Sequence, residues 1–174
     1  MTIMHKIFIL FVLLSSAVSQ NAQAQTEAFS NSDIKREKKN IIKGEKIFIE
    51  HADKCLAIME QSAQKISIQG VAILAFIPGG VTESWISKMK VVGSLTDATA
   101  NLLAIANSKA SEMADTHLDS GSGVRDPKSG EFGYKGGIIM KVNSGYILAV
   151  FSGGSGQEDV DVAKEGLDWL YKYY

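Results

Sequence analysis

The sequence predicts an α+β fold, a central antiparallel sheet flanked by helices, in the order helix-strand-strand-helix-strand-strand-helix. Three stretches place apolar residues at three- and four-residue spacing, the mark of a helix with one buried face. Between them lie two pairs of segments with strand-like patterning, each pair joined by glycine-containing turn sequence. Strand pairs that close locally favour antiparallel pairing, and the middle helix supplies the crossover between the pairs.

The chain opens with Lys6, an apolar run from Ile7 to Val18 interrupted by Ser15 and Ser16, and the small-x-small pattern Ala22-Gln23-Ala24. That is the layout of a signal peptide over residues 1–24, cleaved before Gln25, and it predicts a periplasmic or secreted protein. The run is about twelve residues against the roughly twenty that cross a bilayer, so no membrane span is expected. Residues 25–45 read as a polar leader with the charge run Lys35-Arg36-Glu37-Lys38-Lys39, and residues 46–174 as a single domain.

The first helix is expected from Ile41 or Lys46 to Lys65, on the stripe Phe48, Ala52, Cys55, Leu56, Met59 and Ala63. Ile66 to Ile77 changes period and becomes continuously apolar, a strand covered on both faces, and Pro78-Gly79-Gly80 turns it. Ser84 to Val92 alternates Trp85, Ser87, Met89 and Val91 with Ile86, Lys88 and Lys90, a half-exposed hairpin partner. Ser94-Leu95-Thr96-Asp97 has an N-cap hydroxyl and a carboxylate three residues on, and predicts the start of a second helix with the stripe Leu95, Ala98, Leu102, Ala106, Ala110, Met113 and His117. Residues 118–136 show neither period, and a loop of that length reads as a lid or binding loop. Gly137 to Asn143 and Tyr146 to Ser152 form a second hairpin around Asn143-Ser144-Gly145. Ser155-Gly156-Gln157-Glu158 is a capping box opening the last helix, which buries Val160, Ala163, Leu167, Leu170 and Tyr171.

Of 174 residues, 18 are Lys or Arg and 19 Asp or Glu, a net charge of −1. Losing Lys6 with the leader leaves 17 against 19, or −2. That balance argues against nucleic acid as a partner, because phosphate neutralisation needs a basic surplus on one surface. Cys55 is the single cysteine, so no internal disulfide forms, and its place on the first helix's stripe reads as core packing.

The glycine turn Ser152-Gly153-Gly154 before a helix N-terminus suggests an anion cradle, but Glu158, Asp159 and Asp161 already satisfy the dipole there, which favours a self-capped structural turn. No HxxxH or CxxC spacing is present, so structural zinc is not expected and covalent c-type haem is excluded. Non-covalent haem needs an apolar slot and one axial side chain, for which His117 and His51 are the candidate metal ligands, each weighed against ordinary packing. Arg125, Tyr134 and Lys135 in the long loop could clamp a carboxylate, although a solvated loop is the simpler reading. Lys109 and Met113 sit in the second helix, where Lys109 reads as snorkelling along a packed face. The Ser-Gly repeats complete no Gly-x-Ser-x-Gly.

Gly136-Gly137-Ile138-Ile139, the hairpin Asn143 to Val150, Phe151-Ser152-Gly153-Gly154, Gln157 to Ala163 and Ala106-Asn107-Ser108-Lys109-Ala110 together resemble the small haem-binding and haem-degrading proteins of HbpS-like or GlcG-like type. The resemblance runs from about Ala52 to Leu170. It implies a three-layer fold with a central antiparallel sheet, profilin-like in outline, assembly into homo-oligomers, and haem binding, haem breakdown or redox-linked sensing. Two departures stand out: Pro78-Gly79-Gly80 replaces the usual Asp-x-x-Gly hairpin, and the segment from His117 to Gly136 is enlarged, so no haem ligand transfers by position. The leading expectation is an exported small-ligand-binding protein, with haem or another tetrapyrrole as the first ligand. The alternatives are a haem-degrading or other small-molecule enzyme, and a partner-binding module without ligand. The ligand-binding candidates are His117, Lys109, Met113, Arg125, Tyr134, Ser152, Gly153 and Gly154, in a pocket between the second helix, the long loop and the glycine turn.

Overall fold

The computed structural model describes residues 31–174, so the expected signal peptide and the first residues of the leader lie outside the described residues. The described residues fall into two units, residues 31–36 and residues 37–174. In the first, the described residues are helical, and Arg36 pairs with Asp33 at 2.9 Å.

The predicted order holds, in an α+β fold. Helix α1 (Asn31–Lys65) is followed by strands β1 (Gly70–Pro78) and β2 (Ile86–Val92), helix α2 (Leu102–Thr116), strands β3 (Gly137–Val142) and β4 (Gly145–Ser152), and helix α3 (Gly156–Tyr171). The strands form one antiparallel sheet in the order β2-β1-β4-β3. Alternation at period two sorts the side chains of the central strands to opposite faces. Ala72, Leu74, Phe76, Ala149 and Phe151 pack with Phe48, Cys55 and Met59 of α1 and Leu167 and Leu170 of α3. Val71, Ile73, Ala75, Leu148 and Val150 pack on the other face with Leu102, Ala106, Ala110 and Met113 of α2. Both faces of β1 and β4 are therefore covered, which is why their sequences are continuously apolar.

Several boundaries differ from expectation. Helix α1 begins at Asn31, well inside the expected leader, because its Lys- and Glu-rich sequence favours helix without an apolar face to reveal it. Ile66 is exposed and Ser67 adopts φ +61°, so the chain turns there and β1 starts at Gly70. Helix α2 starts at Leu102, not Ser94. Asp97 accepts hydrogen bonds from the amides of Thr99 and Ala100, closing a turn, and Asn101 is the N-cap, accepting from Ala104 N. Leu95 is exposed and outside the stripe. In α3 the capping box of Ser155 and Glu158 forms as expected, but Tyr171 is exposed and Val162 and Gly166 are buried in its stead.

The two sheet margins differ. At β3 the long loop supplies partners: Ile139 N donates to Asp119 Oδ1 at 2.9 Å, and Gly137 N to Ser120 Oγ at 2.9 Å. At β2 the outer margin pairs with no other strand among the described residues. Lys88 and Lys90 reach Asp53 and Glu60 of α1, while Met89 and Val91 on the opposite face are about two-fifths exposed.

Candidate functional site

The most constrained polar group in the fold is a buried ion pair. Lys109, on the sheet-facing side of α2, places Nζ 2.7 Å from Asp159 Oδ2 and 2.9 Å from the carbonyl oxygen of Phe151. The two side chains are only 3% and 4% exposed. Asp159 Oδ1 accepts from Gly154 N at 2.8 Å, so the pair ties α2, the end of β4 and the start of α3 together. Burial pushes the Lys109 ammonium below its ordinary range and the Asp159 carboxyl above its own, each opposed by attraction to the other. Gly136 makes room for the ammonium: at φ +138°, a Cβ there would lie 2.2 Å from Nζ. Snorkelling is thus corrected, since Lys109 points into the protein and finds a carboxylate fifty residues away.

This pair borders a cleft of about 460 Å³ walled by Leu102, Ile105, Tyr134 and Lys135 and by the glycine turn Ser152-Gly153-Gly154. It is the hollow expected between the second helix, the long loop and the glycine turn, and it gathers Lys109, Tyr134, Ser152, Gly153 and Gly154. Asp159 is the residue that sequence reasoning missed; its place in the first turn of α3 suggested dipole compensation, and no local spacing links it to Lys109. The turn itself is self-capped. Gly154 N is taken by Asp159 and Ser155 N by Glu158 Oε2 at 2.8 Å, so these amides are not free to cradle an anion.

The other candidates lie elsewhere. Met113 is fully buried in the α2-side core. Arg125 clamps its own protein: it holds Glu131 through both guanidinium nitrogens at 2.7 and 2.9 Å, and Asp115 at 2.7 Å. The Arg125 bonds hold the Glu131 pKa down at about 2, and Lys128, at 2.7 Å, together with Arg125 lowers that of Asp115. The long loop is therefore braced, with Phe132 N donating to the buried Ser108 Oγ at 2.9 Å. His51 stacks on Tyr173 at 3.9 Å and meets Trp169 edge-on.

His117 lies eight residues beyond Lys109, about 12 Å along a helix, and borders a different cleft. That hollow of about 580 Å³ is lined by Val81, Thr82, Glu83, Trp85 and Asp115 among others. His117 caps α2 in the left-handed region at φ 55° and stacks on Tyr146 at 4.2 Å. Thr82 Oγ1 donates to Ala114 O at 2.7 Å, so its single proton is used and it accepts from His117 Nε2 at 2.9 Å. That bond selects the imidazole tautomer with its proton on Nε2 and its lone pair on Nδ1. His51 and His117 do not converge, and no group of three or more His, Cys, Asp or Glu among the described residues is arranged to hold a metal ion. No helix among the described residues is long and apolar enough to cross a membrane. Comparison with protein-family models and with curated proteins found no match.

Proposed function

We propose that the protein binds a small molecule in the cleft between α2, the long loop and the glycine turn. The observation that carries this reading is the open hollow bordered by the Lys109–Asp159 pair, assembled from three segments far apart in sequence. Concave sites with apolar walls and a few convergent polar groups are where small ligands bind. Leu102, Ile105 and Tyr134 supply the apolar contact, and the Lys109 ammonium, with two of its three donors used by the protein, supplies a hydrogen-bond donor. Export rests on the pattern in residues 1–24, and assembly into homo-oligomers on the family resemblance alone.

A second reading places a tetrapyrrole in the His117 cleft. It is favoured by the larger hollow there, the indole of Trp85 in its wall and the free Nδ1 of a stacked imidazole. Titration of the purified protein with hemin tests both. A saturable Soret shift at about one haem per chain that Tyr134→Ala weakens supports the first site, and one that His117→Ala weakens supports the second. Featureless scattering removes the tetrapyrrole.

A further inference from the structure

We propose that Lys109 is a reactive amine that forms a Schiff base with a neutral aldehyde or ketone entering the α2–glycine-turn cleft, with Asp159 carrying the protons. The proposal rests on the cleft reading above and adds to it the chemical class of the guest.

Three observations support it. Lys109 and Asp159 are nearly sealed from water, yet both border the open hollow. Burial disfavours the charged forms of both groups, against their mutual attraction, and the neutral amine reached by passing a proton to the carboxylate is the form whose lone pair attacks a carbonyl. The carboxylate is fixed for the role, because Gly154 N holds Oδ1 while Oδ2 faces Nζ at 2.7 Å. Finally, the turn amides that would greet an acid are engaged by Asp159 and Glu158, so the site selects a carbonyl without a carboxylate beside it.

The chemistry balances without a co-reactant. Asp159 takes a proton from the Lys109 ammonium, and the Nζ lone pair forms a bond to the carbonyl carbon as the π electrons move to oxygen. Asp159 returns its proton to that oxygen, giving a carbinolamine, then removes a second proton from nitrogen. It delivers this proton to the hydroxyl as the C–O bond breaks. The products are one water and a protonated imine whose counter-ion is the Asp159 carboxylate; the ammonium and the carbonyl supply every atom.

The test is benzaldehyde with cyanoborohydride at pH 7 on the full protein, followed by peptide mass spectrometry, with exposed Lys135 as the internal reference. The expected result is a benzyl group that appears faster on Lys109 than on Lys135. Lys109→Arg, which keeps the charge and the ion pair, loses the label with an unchanged circular dichroism spectrum, and Asp159→Asn slows labelling by roughly 100-fold. Labelling of Lys109 no faster than of Lys135, in wild-type protein and needing no variant, overturns the proposal. Ligand-observed NMR with benzyl alcohol, which cannot form an imine, separates the two failures. Saturable binding without the adduct removes the amine chemistry alone, and neither signal removes the cleft as well.

Discussion

Lys109 shows how much one side chain can depend on another that is remote in sequence. Replacing it with Met leaves the Asp159 carboxylate buried with only amide partners, and the loss of one member of a buried pair costs roughly 3–5 kcal/mol. Urea unfolding of Lys109→Met is expected to show that loss, and adding Asp159→Leu to recover part of it, since two apolar side chains leave no stranded charge. The apolar stripe Ala106, Ala110 and Met113 was legible in the sequence, and it was correct. Lys109 beside that stripe was legible only as a long side chain with somewhere to go. Its destination lies across the sheet end, and helical periodicity contains no information about a contact between α2 and α3. His117 was likewise found at the end of the stripe, but its hydrogen bond to Thr82 and stacking on Tyr146 come from the β1–β2 connection and β4, which a one-helix pattern does not see.

Among the elements, the long connection from α2 to β3 departs furthest from what its composition suggests. Its Gly, Ser and charged residues carry no period, yet Arg125, Glu131, Asp115 and Lys128 form an ionic brace that replaces a core. The same charges that made it look solvated hold it in place. Glu131, held by Arg125, and Asp115, held by Lys128 and then Arg125, both have lowered pKa values in the folded state, so these bonds stabilise the loop fully above the ordinary carboxylate range, near 4, and that contribution falls away as pH drops towards about 2. Hydrogen exchange at Phe132 N is therefore expected to stay protected, after correction for intrinsic rates, from neutral pH to about 4.5, and to lose protection below it. Protection that falls off already near neutrality would point to a different anchor. The start of α2 shows the converse error. Ser94 and Asp97 match a capping pattern, but the Asp97 side chain bonds to backbone two and three residues on and closes a turn, while Asn101 supplies the true cap. Ser94 and Asn101 both suit an N-cap, and it is Leu102, directly after Asn101, that belongs to the buried cluster on the sheet.

For the whole molecule, order and layering followed from period and turn chemistry because both are local, and two-sided burial was readable in the unbroken apolar run of β1, whereas β4 was read only as one arm of a hairpin. The pairing of those two strands, which places them side by side at the centre, was not, since strand neighbours are set by the closure of the entire chain. With cores on both faces of one sheet, unfolding should be a single cooperative event. Leu148→Ala on the α2 side and Leu167→Ala on the α1–α3 side should each cost about 2–5 kcal/mol, and the double variant should sum to within about 0.5 kcal/mol because the sites share no partner. Two separate transitions in urea would show instead that the layers come apart independently.

The unlike margins of the sheet limit how copies of the chain can associate. Asp119 and Ser120 take the amides of Gly137 and Ile139 at the start of β3, whereas the outer backbone groups of β2 meet nothing comparable among the described residues. The β2 edge is therefore the freer of the two for a second strand. Two molecules joined β2 to β2 about a twofold axis would each use up that same edge, so growth through it would end at a closed pair and not run on into a fibre.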